Sequence, residues 1–194
     1  MGNVRMSRAN RRTQLLEVAL GIVRDEGADS LTLGRLAERA GVTKPVTYGH
    51  FETRDGLLMA LYAHLDDQLI SGTLAAVAAA PPLLDRVLRV FSAAYIDCVA
   101  RAGPQFAAIS DALSGGDVMQ AFRLQRRDTY LTHYRAALAP YVRMSDPQFH
   151  CLLVAFQGAA DALATDAAAG RIARDDAADT LFNLLTIALT HTGA

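Results

Sequence analysis

Residues 41–51 read GVTKPVTYGHF, and the fold turns on how they are read. The flanks have helical spacing, yet Pro45 stands near the start of the stretch and Gly49 inside it. Both are poor helix formers, glycine by about 1 kcal/mol and proline by about 3 kcal/mol in a helix interior. Upstream, Thr32 is a good N-cap, and Leu33, Leu36, Ala37 and Ala40 line one face of a short helix. Gly41 ends that helix, where a turn with positive φ calls for glycine. Val42 plugs the corner, and Thr43 offers its hydroxyl to the free N–H groups of the next helix. The segment reads as helix, three-residue turn, helix: Thr32–Ala40, Gly41–Thr43, Lys44–Phe51. Proline is tolerated in a first turn, because the N–H it lacks has no partner in the helix ladder. Thr47 and Phe51, four apart, pack inward, while Lys44, Pro45, Tyr48 and Gly49 lie toward the other side. This is the helix-turn-helix pattern, whose second helix enters the major groove of DNA. A glycine on the outward face then marks close approach by another backbone, here that of DNA.

Working outward, residues 8–26 form a first helix, with Leu16, Ala19, Leu20 and Val23 on one face and Gly27 as its stop. Asp55 caps a long helix that Pro81 and Pro82 end. Residues 83–101 give the next, with the stripe Leu84, Val87, Leu88, Phe91, Tyr95 and Val99. Pro104 opens a short helix that Gly115 and Gly116 end. Further helices run from Asp117 to about Leu138, from Asp146 to about Ala169, and from Asp175 or Asp176 to near His191. The expected fold is all-α with about nine helices: a three-helix module over 8–54 and a helical body over 55–194.

Composition agrees with that class. The 194 residues are 52% hydrophobic and 20% charged, with no tryptophan and few β-branched runs. Net charge is −1, but residues 1–54 carry nine Lys/Arg against six Asp/Glu, and the remainder ten against fourteen. A basic module on an acidic body suits a polyanion partner. Lys44, inside the quoted stretch, is the only lysine in the chain. No apolar run reaches the roughly 18 residues of a membrane span, and the N-terminal residues lack the apolar core of a secretory signal. Cys98 and Cys151 form no motif, so a reduced cytoplasmic setting is the default. There is no phosphate loop, no HExxH, no zinc spacing and no nucleophile elbow. Neither an enzyme nor a bound cofactor or metal is expected.

The run TLGRLAERAGVTKPVTYGHFETRDGLLMALYAH resembles the DNA-binding region of TetR-family transcriptional regulators. Ala40-Gly41-Val42-Thr43, then Tyr48, His50 and Phe51, then Thr53-Arg54-Asp55 before Leu57-Leu58 carry the resemblance. It covers about residues 10–65; beyond them only helix number and order match. The resemblance implies a homodimer on a double-stranded DNA operator, a small-molecule effector enclosed by the middle helices, and a four-helix interface from the last two. It implies phosphate contacts at Thr32, Tyr48, His50 and Arg54, and base or phosphate contacts at Thr43, Lys44 and Pro45. Two positions depart from the common form. Val46 offers only a methyl surface, suited to thymine, and Gly49 offers no side chain at all.

Some residues keep two readings. Arg5, Arg8, Arg11 and Arg12 are either a solvated tail or a basic arm along DNA. Phe91, Tyr95, Phe106, Phe122, Tyr130, His133 and Tyr134 are singly ordinary core, but as a set they suit an effector pocket for a mostly apolar ligand. The stripes Leu152, Ala155, Phe156, Ala159, Leu163 and Leu181, Leu184, Leu185, Ala188, Leu189 are expected to form the dimer interface. Outside the regulator reading stand two others: a helical small-molecule-binding protein without specific DNA function, and a DNA binder without sequence preference.

Overall fold

The computed structural model describes residues 6–113 and 117–191, and among them there are eight α-helices and no strand. They are α1 (Arg8–Glu26), α2 (Leu33–Ala40), α3 (Lys44–Phe51), α4 (Arg54–Ala79), α5 (Leu84–Ala112), α6 (Asp117–Leu138), α7 (Asp146–Ala168) and α8 (Arg174–His191). Short 3-10 turns cover Ala28–Ser30 and Ala139–Tyr141. Contacts divide the chain into two compact units: Met1–Leu65 with Gln105–Phe122, and Asp66–Pro104 with Arg123–Ala194. Helices α4, α5 and α6 contribute residues to both.

The first unit is built by local signals. The Ser7 hydroxyl accepts the Asn10 N–H at 3.1 Å and starts α1, which buries Leu15, Leu16, Ala19, Ile22 and Val23. The Thr32 hydroxyl accepts the Arg35 N–H at 3.0 Å and starts α2. Gly41 ends α2 in the left-handed region, at φ 65° and ψ 32°, a conformation that glycine reaches without penalty. Leu33, Leu36 and Phe51 close one core with the α1 residues, with Leu57, Leu58, Leu61 and Leu65 of α4 and with Ile109, Leu113 and Met119. Val42 packs against this core, filling the corner as its position in the turn requires.

The second unit has its own core. Leu69 and Ile70 of α4, Leu88, Phe91 and Tyr95 of α5, and Tyr130, Leu131 and Tyr134 of α6 meet Phe149, Leu153, Phe156 and Ala160 of α7 and Leu181 and Leu185 of α8. Gly103 marks a close approach: a Cβ there would lie 3.0 Å from that of Ala168 at the end of α7.

The structure corrects the sequence reading at three element boundaries. Pro104 does not open a helix; it lies inside α5, so two expected helices are one and the count is eight. An interior proline removes one hydrogen bond and crowds the carbonyl four residues back, but packing on both sides of it outweighs that local cost. Tyr95, Ile96 and Ala100 are buried before it and Ile109 after it. Thr53, rather than Asp55, caps α4: its hydroxyl accepts the Gly56 N–H at 3.0 Å. The last helix begins at Arg174, just before Asp175. The stop expected at Gly115 and Gly116 lies outside the described residues.

Candidate functional site

Helix α3 is held by its inner face. The Thr47 side chain is fully buried, and its hydroxyl donates to the Leu33 carbonyl at 3.0 Å and lies 2.9 Å from that of Lys44. Phe51 is buried beside it, and Val46 is half-buried against the same core rather than free on the surface. Turned away from that core are Thr43, Lys44, Pro45, Tyr48 and Gly49, all exposed, with Tyr48 at 51%. A Cβ added at Gly49 would meet nothing within 4 Å, so no intramolecular packing demands glycine there. The Lys44 stem lies across the first turn of α2, its Cε 3.7 Å from where a Gly34 Cβ would stand.

Thr43 sits at the N-cap of α3, but its hydroxyl makes no cap hydrogen bond, contrary to the role its place in the sequence suggests. The reason is Pro45. An N-cap side chain accepts from the second or third helical residue. Here the second is proline, without an N–H, and the N–H of the third, Val46, goes to the Thr43 carbonyl at 2.9 Å. The hydroxyl is left on the outer surface with Lys44 and Pro45.

The other end of α3 is fixed from α1. Arg8 donates to the Gly49 carbonyl at 3.2 Å and Arg12 to the His50 carbonyl at 2.8 Å. The Arg12 guanidinium also lies 4.8 Å from the centre of the Phe51 ring. Cations at these last-turn carbonyls complement the negative end of the helix dipole. His50 is half-buried; burial first, then the nearby Arg8, Arg12 and Arg11, hold its pKa below the usual 6.5. Arg5, the remaining member of the expected basic arm, lies outside the described residues.

The net charge of the module conceals a division of labour. Arg35 pairs with Glu26 and Glu38 at 2.9 Å each, and Arg39 pairs with Glu26 at 2.9 Å and Asp25 at 2.8 Å. Arg24 also takes Asp25. These arginines hold Asp25 and Glu26 below the usual carboxylate range. Arg54, matched by resemblance to a phosphate contact, donates to the carbonyls of Leu31 at 3.0 Å and Ala28 at 2.9 Å. It ties the turn before α2 to the start of α4. The cations next to α3 are therefore Lys44, Arg8 and Arg12, with Arg11 near enough to act on His50.

Two residues that sequence reasoning passed over shape the exit of α3. Glu52 has positive φ, at 61°, and turns the chain so sharply that a Cβ on Gly56 would stand 2.3 Å from the Phe51 carbonyl oxygen. The Asp-Gly pair at 55–56 was the available signal.

The seven aromatic candidates do not form one group. Phe91, Tyr95, Tyr130 and Tyr134 cluster in the second unit, joined by Phe156: Phe91 and Tyr134 meet edge-to-face at 4.8 Å, and Tyr130 and Tyr134 lie 5.7 Å apart. Phe106 and Phe122 belong to the first unit, where they flank Tyr62 at 4.5 and 5.7 Å. His133 is exposed. Sequence reasoning missed Asp161 of α7, which takes the Tyr95 hydroxyl, and Asp66 of α4, which takes that of Tyr130 at 2.6 Å and Arg126 at 2.8 Å.

Comparison with known proteins bears on both units. Residues 15–61 match the family model described as bacterial regulatory proteins, tetR family. The chain is 40% identical over 68 residues to the HTH-type transcriptional activator FasR of Mycolicibacterium smegmatis, a match covering 35% of this chain and 31% of that protein. It is 44% identical over 50 residues to the tetracycline repressor protein class C of Escherichia coli, covering 26% and 23%. The matched segments thus span no more than a third of either relative. Over nearly the whole chain the fold resembles that of a putative TetR-family transcriptional regulator from Rhodococcus sp., with a TM-score of 0.77 at 18% identity, covering 95% of this chain and 100% of that one.

Proposed function

We propose, for a chain that belongs through residues 15–61 to the TetR family of bacterial regulatory proteins, that it is a DNA-binding transcriptional regulator, a repressor released from its operator by a small molecule. The observation that carries this is the division of α3: Thr47 and Phe51 fix it from within, while Thr43, Lys44, Pro45, Tyr48 and Gly49 are exposed along its outer side. An operator would meet that side. Lys44 can read guanine, Tyr48 and the Thr43 hydroxyl can take phosphate, and Gly49 lets the backbone come close. Residues 8–54 would act as the DNA-facing module and 55–194 as the effector and dimerisation body.

Two recognition helices need a two-fold partner at one helical turn of DNA, about 34–36 Å apart. Helices α7 and α8 offer a surface for it. Helix α7 is long and apolar enough, by length and composition, to cross a membrane, yet only about a third of its most apolar 18-residue stretch is buried in the chain. Its exposed side carries Ala155, Gly158 and Ala162, and α8 adds Leu184 at 49% and Ile187 at 57% exposure. A second copy covering these residues accounts for an apolar surface that a membrane span would otherwise explain. Within this reading the effector occupies the second unit near Phe91, Tyr95, Tyr130 and Tyr134 and favours a domain arrangement that no longer fits the operator.

The test is binding to a DNA fragment recovered by genomic selection, titrated with salt. A regulator keeps a preference for that fragment over scrambled DNA across the series, whereas phosphate-only binding falls alike on both. No binding to either leaves a helical ligand-binding protein.

A further inference from the structure

Within the second unit, four helices each turn polar side chains inward at helical spacing. On α4 these are Asp66 and Thr73, and on α5 Ser92 and Tyr95. On α6 they are Tyr130 and Tyr134, and on α7 Gln157, with Asp161 one turn on at the exposed rim, where it still reaches the Tyr95 hydroxyl. One member of each pair is satisfied: Tyr95 donates to Asp161, and Tyr130 donates to Asp66. The other member is not. Thr73 Oγ1, Ser92 Oγ, the Tyr134 hydroxyl and Gln157 Oε1 are all buried and have no hydrogen-bond partner. The Tyr134 ring stands between its two neighbours, 6.2 Å from Tyr95 and 5.7 Å from Tyr130. Three tyrosines thus lie in a row: the outer two hydroxyls are taken by carboxylates, while the middle one has only the Thr73 side chain near it, without a well-formed hydrogen bond between them.

Buried polar groups in native proteins are nearly always hydrogen-bonded, so an unpartnered one from each of four packed helices points to something that completes them. Its chemistry follows from what is already there. Gln157 Oε1 can only accept, and the carboxylates of Asp66 and Asp161 flank the row. The cation that reaches this row, Arg126, is held by Asp66 at 2.8 Å and Asp67 at 2.5 Å. Burial, with Asp161 and Asp66 nearby, drives the Tyr134 hydroxyl far above the ordinary phenol range, and burial pushes the Asp66 carboxyl up. Negative charge is disfavoured here.

Resting on the effector reading above, we propose that the effector docks a hydrogen-bond-donating head group without negative charge, an alkylammonium or an alcohol, at Tyr134, Thr73, Ser92 and Gln157, and that carboxylate-headed ligands are excluded. The unpartnered Tyr134 hydroxyl then costs the free protein stability and contributes only in the complex.

The experiment uses the full chain and three probes of one shape: 4-phenylbutylamine, 4-phenylbutanol and 4-phenylbutanoate, with calorimetric Kd and thermal unfolding. The amine or the alcohol should bind at least about tenfold more tightly than the acid. Tyr134→Phe should raise the Tm of the free protein by about 2–4 °C and weaken the favoured probe by about tenfold. Thr73→Val should act in the same direction. If the acid binds as well as the amine, and Tyr134→Phe weakens it, the head-group assignment falls while the effector site stands. If none of the three binds at millimolar concentration, the effector site falls as well. If Tyr134→Phe lowers the Tm of the free protein, the hydroxyl is already satisfied by water and the proposal is overturned.

Discussion

The two units handle polar groups in opposite ways. In the first, Arg35, Arg39 and Arg54 are spent on acids and carbonyls of the same unit, Thr47 is saturated, and what is left over is exposed along the outer side of α3. In the second, polar groups enter the core, and several stay there without partners. A surface that meets a large, charged partner can leave its groups in water at little cost until the partner arrives. A core that meets a small molecule carries the cost of unsatisfied groups in the free state. The module is therefore specified by exposure, and the body by burial.

Substitutions can break or sharpen that contrast. The largest effect is expected in the body. Leu185 is fully buried in its core, so Leu185→Arg should cost about 3–5 kcal/mol and unfold the unit. Ile187→Arg, two residues on and 57% exposed, should leave the fold intact and yield monomers in sedimentation. Dimers of an Ile187→Arg variant would remove the proposed interface. In the first unit, Gly56→Ala should cost about 3 kcal/mol, because its Cβ would stand 2.3 Å from the Phe51 carbonyl oxygen. The fall in Tm, about 2–4 °C per kcal/mol, measures it.

Next come the groups exposed on α3. Lys44→Ala should weaken operator binding by about 1–3 kcal/mol and relax its base preference, while leaving Tm unchanged. Gly49→Leu should weaken binding without unfolding, since open space surrounds that position in the free protein. Full operator affinity in a Gly49→Leu variant would rule out close approach of the backbone to DNA. The smallest effect concerns His50. Its pKa in the fold lies below 6.5, so the unfolded chain takes up a proton more readily. Stability should therefore fall slightly as pH drops through 6.5, and His50→Asn should flatten that slope in denaturant titrations.

What the sequence disclosed, and what it did not, follows the range of the interactions. The Thr32 cap, the Gly41 turn and the inward pair Thr47 and Phe51 are set within a few residues, and spacing alone identified them. Arg54 reaches carbonyls 23 and 26 residues away, which no local pattern announces. Pro104 lies inside a helix because packing overrides a local preference. Among the aromatics, spacing told which residues share a face but not what that face meets, so Phe106 and Phe122 were grouped with Phe91 although they belong to a different core. Likewise, Leu181 and Leu185 share the α8 stripe with Leu184, but burial assigns those two to the core and leaves Leu184 half-exposed.

The stem of Lys44, lying over Gly34 with its amine on the outer surface of α3, makes this chain suited to chemical footprinting. It is the only lysine, and so the only side-chain amine, in the sequence. A mild amine-reactive ester would leave one lysine tag, on the peptide that carries Lys44, at the point where base reading is expected. On the proposed reading, bound DNA would slow that tagging and effector would restore it, so the mass of one lysine-bearing peptide would report occupancy of α3 with no engineered label.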